Sequence, residues 1–294
     1  MKRYIGAILA LALAALLGGC ARPADSGELI LYGVNTGKSD CMVFCLPNGE
    51  ILLMDTGLKK TYDQVKALLD KIEVEEIHHL VITHGHKDHI GGLKKLAKDF
   101  KIGVIYTNAY DTATYNDEER ADIAAACQEW QLVEPVRLEG GQPASQASMQ
   151  LGNVEATFLA PSRSYTDAED DNNNSLVLRL TYGNISFLLM GDATSTIESS
   201  MLSLYSESQL QADFLKGGRH GKNDANTEAF IQAVSPSQVY LTGNRADDPD
   251  SPGADVLARY AAAGSAVYLN EGEHLAVCFR CDGTSLSAGT YLEK

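Results

Sequence analysis

The sequence predicts a single α/β domain from about Glu28 to the C-terminus, and three observations carry this. Short apolar runs bounded by Gly, Asn and Pro alternate along the chain with stretches of helical period. The 294 residues, 45% hydrophobic and 21% charged, are enough to bury a sizeable core. No linker-like segment, internal repeat or low-complexity stretch divides them.

The N-terminus is set aside before the fold is considered. Lys2 and Arg3 supply a positive segment, Ile5 to Leu17 an apolar one, and Leu17-Gly18-Gly19-Cys20 follows. The apolar run is shorter than the ~20 residues of a helical membrane span. The tetrad resembles the bacterial lipobox, whose cysteine is diacylated and becomes the new N-terminus. That resemblance implies a signal peptide at 1–20, lipidation of Cys20, a polar tether at 21–27 and a domain at 28–294. The protein would then sit on the outer face of a bacterial membrane, because several acyl chains anchor stably where one does not.

Each element is then read in order. Strand-like segments come first, at Glu28 to Gly33, Cys41 to Cys45 and Ile51 to Met54, followed by a helical pattern at Tyr62 to Ile72. The apolar strand Leu80 to Ile82 runs into a histidine cluster. Helix and strand signals then alternate at Gly91 to Phe100, Val104 to Tyr106, Glu118 to Gln131 and Val154 to Leu159. Leu176 to Thr181 and Ile185 to Met190 form a hairpin across Tyr182-Gly183-Asn184, whose Gly and Asn tolerate positive φ. Helices at Thr194 to Tyr205, Thr227 to Val234 and Gly253 to Ala263 follow, with short strands near Val239 and Val267.

Cysteine count and charge set bounds. Cys41, Cys45, Cys127, Cys278 and Cys281 are odd in number, so at least one thiol is free or intermolecular. Cys278 and Cys281 form one C-x-x-C without a second, which argues against a zinc ribbon and leaves a disulfide or a pair of strand cysteines. The net charge of −15 repels polyanions at long range unless a local basic patch or bound cations reverse the field. A non-specific nucleic-acid binder is therefore disfavoured.

The chemistry concentrates in Thr83-His84-Gly85-His86-Lys87-Asp88-His89, between an apolar strand and Ile90-Gly91-Gly92-Leu93. Four metal-ligand side chains within six residues, with Gly85 permitting a tight turn, can aim at one point, and imidazole with carboxylate suits zinc or manganese. This H-x-H-x-D-H resembles the hallmark of the metallo-β-lactamase superfamily. Met54-Asp55-Thr56-Gly57, Gly191-Asp192 and Lys216-Gly217-Gly218-Arg219-His220-Gly221 resemble further family elements in the expected order.

The resemblance implies a four-layer αβ/βα sandwich, two mixed β-sheets flanked by helices, with one or two Zn2+ or Mn2+ ions per chain. His84 and His86 would bind the first ion and Asp88, His89 and His220 the second. Asp192 would lie between them, and Asp88 and Asp192 would act in catalysis. Asp55 would steady a ligand imidazole. The further first-ion histidine common in the family is missing, since residues 90 to 191 contain none. Asn173 or Asn174 would fill its place within Asp171-Asn172-Asn173-Asn174-Ser175-Leu176-Val177-Leu178. That tract and Val34-Asn35-Thr36-Gly37-Lys38-Ser39-Asp40-Cys41 resemble the ComEC-type, competence-related branch. The chain departs from the branch where it has Arg219-His220-Gly221-Lys222.

Other polar residues have blander readings beside the sharper ones. His78 and His79 read as a solvated strand start and a packing residue, His274 as an exposed turn residue, and Asp167 to Asp171 as a solvated loop. Lys216, Arg219 and Lys222 are expected either to clamp an anionic substrate or to form a solvated basic turn. The expected function is metal-dependent hydrolysis of a phosphodiester outside the cell. The rivals are hydrolysis of a cell-wall or small-molecule ester or amide, including β-lactam, and a silent surface binding module. An apolar site lining favours small organic substrates and a basic groove favours phosphodiesters.

Overall fold

The computed structural model describes residues 27–109, 115–132, 136–138, 147–166 and 170–294. The signal segment with Cys20, nearly all of the tether, and residues 167–169 of the acidic run lie outside the described residues.

Strands β1 (Leu29–Val34), β2 (Met42–Cys45) and β3 (Ile51–Met54) are buried along their whole length. Alternation sends Ile30, Tyr32 and Val34 to one face and Leu29 and Leu31 to the other, so both faces of this sheet are covered. With β4 (Glu76–Val81), β5 (Lys101–Asn108), β6 (Val136–Leu138), β14 (Ala276–Cys281) and β15 (Thr290–Leu292) they form one sheet, ordered β15-β14-β1-β2-β3-β4-β5-β6. The second sheet is ordered β13-β12-β11-β10-β9-β8-β7. Its strands are β7 (Ala147–Leu151), β8 (Val154–Ala160), β9 (Val177–Tyr182), β10 (Ile185–Leu189), β11 (Phe214–Lys216), β12 (Gln238–Leu241) and β13 (Ala266–Leu269).

Each sheet is antiparallel in one half and parallel in the other. The parallel runs are β3 to β6 in the first sheet and β10 to β13 in the second. Phe44, Phe187, Phe214 and Phe279 fill the space between the sheets. Outside the first sheet lie α1 (Tyr62–Lys71), the short α2 (Lys87–Ile90), α3 (Leu93–Asp99) and α4 (Asp117–Glu129). Outside the second lie α5 (Ser195–Leu204), α6 (Glu207–Leu210), α7 (Glu228–Val234) and α8 (Ala254–Ala262). The result is the expected four-layer αβ/βα sandwich.

Two sequence expectations need correction, and one open alternative is resolved. The helix expected from Gly91 to Phe100 is shorter, Leu93 to Asp99 as α3, with the separate α2 before it; at the junction Gly92, where a Cβ would meet the Thr56 carbonyl oxygen at 2.3 Å, lets the turn after β3 pack close. Of the two readings left open for Cys278 and Cys281, the strand pair holds: they lie three apart, on opposite faces of β14, and the five described cysteines are buried and in no disulfide. His274, expected at the surface, is only 6% exposed and packs edge-on against Tyr291. No helix of the described residues is long and apolar enough to cross a membrane.

Candidate metal centre

Strands of both parallel runs end at the same edge of the sandwich, the position where α/β sheets place their ligands. Asp55 follows β3, the His84 to His89 segment follows β4, Asp192 follows β10, and the Gly217 to Gly221 turn follows β11. The segment after β4 is tied to both sheets. Ile82 donates its N–H to the Tyr106 carbonyl at 2.9 Å, and the Thr83 carbonyl accepts from Leu176 N–H at 3.0 Å.

Asp55 is fully buried with φ of 59°, and it fixes the start of this segment. Its Oδ1 accepts from Thr83 N–H at 2.8 Å, and its Oδ2 accepts from Thr83 Oγ1 at 2.7 Å and lies 2.7 Å from His89 Nδ1. His89 therefore turns Nε2 inward, 3.3 Å from Asp192 Oδ1. His220 is placed by two successive non-glycine residues at positive φ, Arg219 at 53° and itself at 52°. Strain of this kind, of order 1–3 kcal/mol per residue, persists where surrounding structure enforces it and clusters at functional sites. His220 Nε2 lies 3.2 Å from both Asp88 Oδ2 and Asp192 Oδ2.

The other nitrogen of His220 reveals a residue with no role evident in the sequence. Its Nδ1 lies 3.0 Å from Thr242 Oγ1 and 3.1 Å from Asp40 Oδ1. Asp40 thus stands to His220 as Asp55 does to His89. Its position, at the end of the Gly37-Lys38-Ser39-Asp40 tract, is the one local signal of that role. Asp40 is paired in turn with the ammonium of Lys216, which also donates to the Gly191 carbonyl at 2.7 Å. Lys216 has no exposed surface. It cannot reach a substrate, so its expected place in an anion clamp is corrected to that of a buried counter-charge. Arg219 pairs with Asp170 at 2.6 Å, and Lys222 with Asp248 at 2.8 Å, so both cations are neutralised at the rim.

The first-ion residues are arranged more loosely. His84 is buried, with Nε2 3.0 Å from His86 Nδ1 and Nδ1 near the hydroxyls of Thr83 at 3.2 Å and Ser175 at 3.3 Å. The His86 side chain is 39% exposed, and its Nε2 lies 3.0 Å from Asp171 Oδ1. Asn173 and Asn174, expected to lend an oxygen here, are engaged otherwise. Asn173 Oδ1 accepts from Thr194 Oγ1 at 2.6 Å, and Asn174 brackets the Tyr165 backbone through both ends of its amide, at 2.9 and 2.8 Å. The group facing His86 is Asp171, part of a run for which the sequence favours a solvated loop over a cation site.

Electrostatics follow the packing. Burial alone would raise Asp40, but Lys216, His89 and His220 hold its carboxyl below the usual carboxylate range. Burial opposes the same trend in Asp192, which the His220 and His89 rings pull well below that range. Burial disfavours charge on His220, yet Asp192 and Asp40 push it up to about 10. Burial, with His89 beside it, holds His84 neutral.

Unsatisfied atoms test whether these residues fit a cation. His89 Nε2, His220 Nε2 and Asp192 Oδ1 are buried and make no hydrogen bond. Atoms of Asp40, His89, Asp192 and His220 lie within 4.8 Å of one another. Buried polar atoms are nearly always satisfied, so several such atoms at one point mark a place built for another group. Imidazole nitrogen and carboxylate oxygen are the donors that zinc and manganese take. The residues fit a metal ion.

Comparison with known proteins agrees with the geometry. The chain is 26% identical to ComE operon protein 3 of Bacillus subtilis (strain 168) over 260 residues, covering 81% of this chain and 32% of that protein. It is 27% identical to competence protein ComA of Neisseria gonorrhoeae over 245 residues, covering 83% and 31%. It thus spans about a third of the length of the curated relatives it matches. The solved structure of Tm1679, titled a metal-dependent hydrolase of the beta-lactamase superfamily, superposes with a TM-score of 0.54 at 11% identity, covering 82% of this chain and 95% of that one. The metallo-beta-lactamase superfamily is matched over residues 34–241. With this fold and this candidate metal cluster, the chain belongs to the metallo-beta-lactamase superfamily.

Proposed function

We propose that the protein hydrolyses a phosphodiester outside the cell, held to a membrane through lipid on Cys20. The observation that carries the hydrolytic reading is the convergence of Asp88, His89, Asp192 and His220 around unsatisfied buried nitrogens. A zinc or manganese ion bound there would supply a water nucleophile of lowered pKa and offset charge on the attacked group. Asp88, His89 and His220 would hold one ion, His84 and His86 a second, with Asp192 shared.

The chain's own groups prepare the rest. Asp55 and Asp40 keep the His89 and His220 rings oriented, and Lys216 offsets the charge of Asp40 from below. Lys38 lies 3.7 Å from Asp88 Oδ2, and Arg219 and Lys222 are held at the rim by Asp170 and Asp248. The competence relatives support a phosphodiester over a β-lactam. The lipobox-like Leu17 to Cys20 supports the anchored, extracytoplasmic placement.

Purified protein loaded with manganese or zinc is expected to cleave bis(4-nitrophenyl) phosphate, with activity lost in EDTA and in Asp192→Asn. Turnover of a chromogenic β-lactam by protein inert to the phosphodiester would overturn the substrate reading. Equal turnover by Asp192→Asn would overturn the mechanism.

A further inference from the structure

We propose that a lysine-lined cavity adjoining the metal centre is a binding groove for a nucleic-acid strand, gripped by its phosphodiester backbone. The proposal deepens the phosphodiester reading by naming the polymer and the surface on which it lies.

The cavity, of about 510 Å3, is lined by Lys59, Lys60, Lys87, Lys94, Lys95 and Lys98. These are six of the 24 Lys and Arg in a chain whose net charge is −15. Close packing brings them together. Lys59 and Lys60 follow the turn after β3, Lys87 stands between His86 and Asp88, and the other three lie on α3. A Cβ on Gly91 would come within 2.9 Å of Lys59 N and 2.3 Å of the Lys87 carbonyl oxygen. Glycine at that point lets the two lysine-bearing segments close on each other.

The charges are largely uncommitted. Lys94 and Lys95 make long ion pairs, 3.9 Å to Asp122 and 3.7 Å to Asp63, and Lys95 also lies 5.4 Å over the Tyr62 ring. Among the described residues, Lys59, Lys60, Lys87 and Lys98 have no carboxylate within 4.0 Å. The opposite wall, at the start of α4, carries Glu118, Glu119 and Asp122. Asp122 faces Lys94, and Glu119 is occupied in accepting from Asn116 N–H at 2.8 Å. Glu118 is left against four free ammonium groups, so the local field opposes that of the chain as a whole.

A single phosphate would not need so extended a strip. The seven residues of α3 alone cover about 10 Å, and Lys87 continues the line into the loop that carries the candidate ligands. A polymer lying in the groove would therefore pass the mouth of the metal centre. Its affinity would fall with salt, as phosphate binding by lysine requires.

Full-length protein is titrated against a fluorescein-labelled, phosphorothioate-linked 20-mer of thymidylate at several salt concentrations, read by anisotropy. Lys60→Gln/Lys98→Gln removes two exposed, unpaired charges, and Lys101→Gln, whose lysine pairs with Glu76 at 3.0 Å, is the control. The double variant is expected to bind about tenfold or more weakly, with a log–log salt slope shallower by about 1.4, the value for two lysines that no longer neutralise single-strand phosphates. Its turnover of bis(4-nitrophenyl) phosphate should match wild type. Unchanged affinity, a loss no greater than in the control, or binding to phosphatidylglycerol vesicles but not to the oligonucleotide overturns the groove. Lysine-dependent oligonucleotide binding by a wild type that cleaves no phosphodiester leaves the groove standing and sinks the hydrolytic reading alone.

Discussion

In one lobe of the cluster, each imidazole rests its outer nitrogen near a buried carboxylate, Asp55 at 2.7 Å from His89 and Asp40 at 3.1 Å from His220. In the other, His84 leans on two hydroxyls, and His86 is part-exposed beside Asp171. A carboxylate behind an imidazole fixes its tautomer and orientation and makes it a better electron donor, and a hydroxyl does this less well. On the proposed reading, the His89–His220 lobe holds its ion tightly and the His84–His86 lobe holds a second one weakly. The missing family histidine is consistent with that asymmetry.

Several measurements break or sharpen the contrast, and the largest effect belongs to the shared carboxylate. Asp192→Ala is expected to weaken metal uptake by well over about 100-fold, more than the 10–100-fold typical of an outer partner. Metal content after dialysis checks it, and retention of two equivalents would contradict the shared role.

Next comes the buried pair beneath His220. Asp40→Asn or Lys216→Met alone should weaken metal affinity about 10–100-fold and cost about 3–5 kcal/mol in unfolding free energy, because each leaves a buried charge without its partner. The double variant should regain much of that stability, as coupled sites do. Denaturant titration of the four proteins measures the cycle, and strict additivity would mean the pair is not coupled.

The smallest effect is expected at the looser lobe. His86→Ala should lower bound metal from two equivalents toward one, with a thermal midpoint close to that of wild type, since the side chain is 39% exposed. Loss of both equivalents would make the lobes interdependent.

What can be read from the chain depends on sequence distance. His84, His86, Asp88 and His89 fall within one turn and loop, so their spacing alone announces them. The layers are legible from apolar runs too uniform for one-sided strands, such as Leu29 to Val34. Asp40 has no role that its own tract declares, because its meeting with His220, 180 positions away, exists only once both sheets are assembled. Lys216 misleads for a related reason. An ammonium is expected to seek water, and nothing local to Phe214-Leu215-Lys216 says that Asp40 and the Gly191 carbonyl await it inside. The turn-like neighbours of His274 point to the surface, whereas Tyr291 covers it.

The candidate ligands are drawn from both halves of the sandwich, Asp88 and His89 from the loop after β4, Asp192 and His220 from loops after β10 and β11. An ion held among them would rivet the two sheets together at their shared rim. Mass action then makes free metal a thermostat for the whole chain, adding about 2.7 kcal/mol of stability when its concentration is 100 times the dissociation constant.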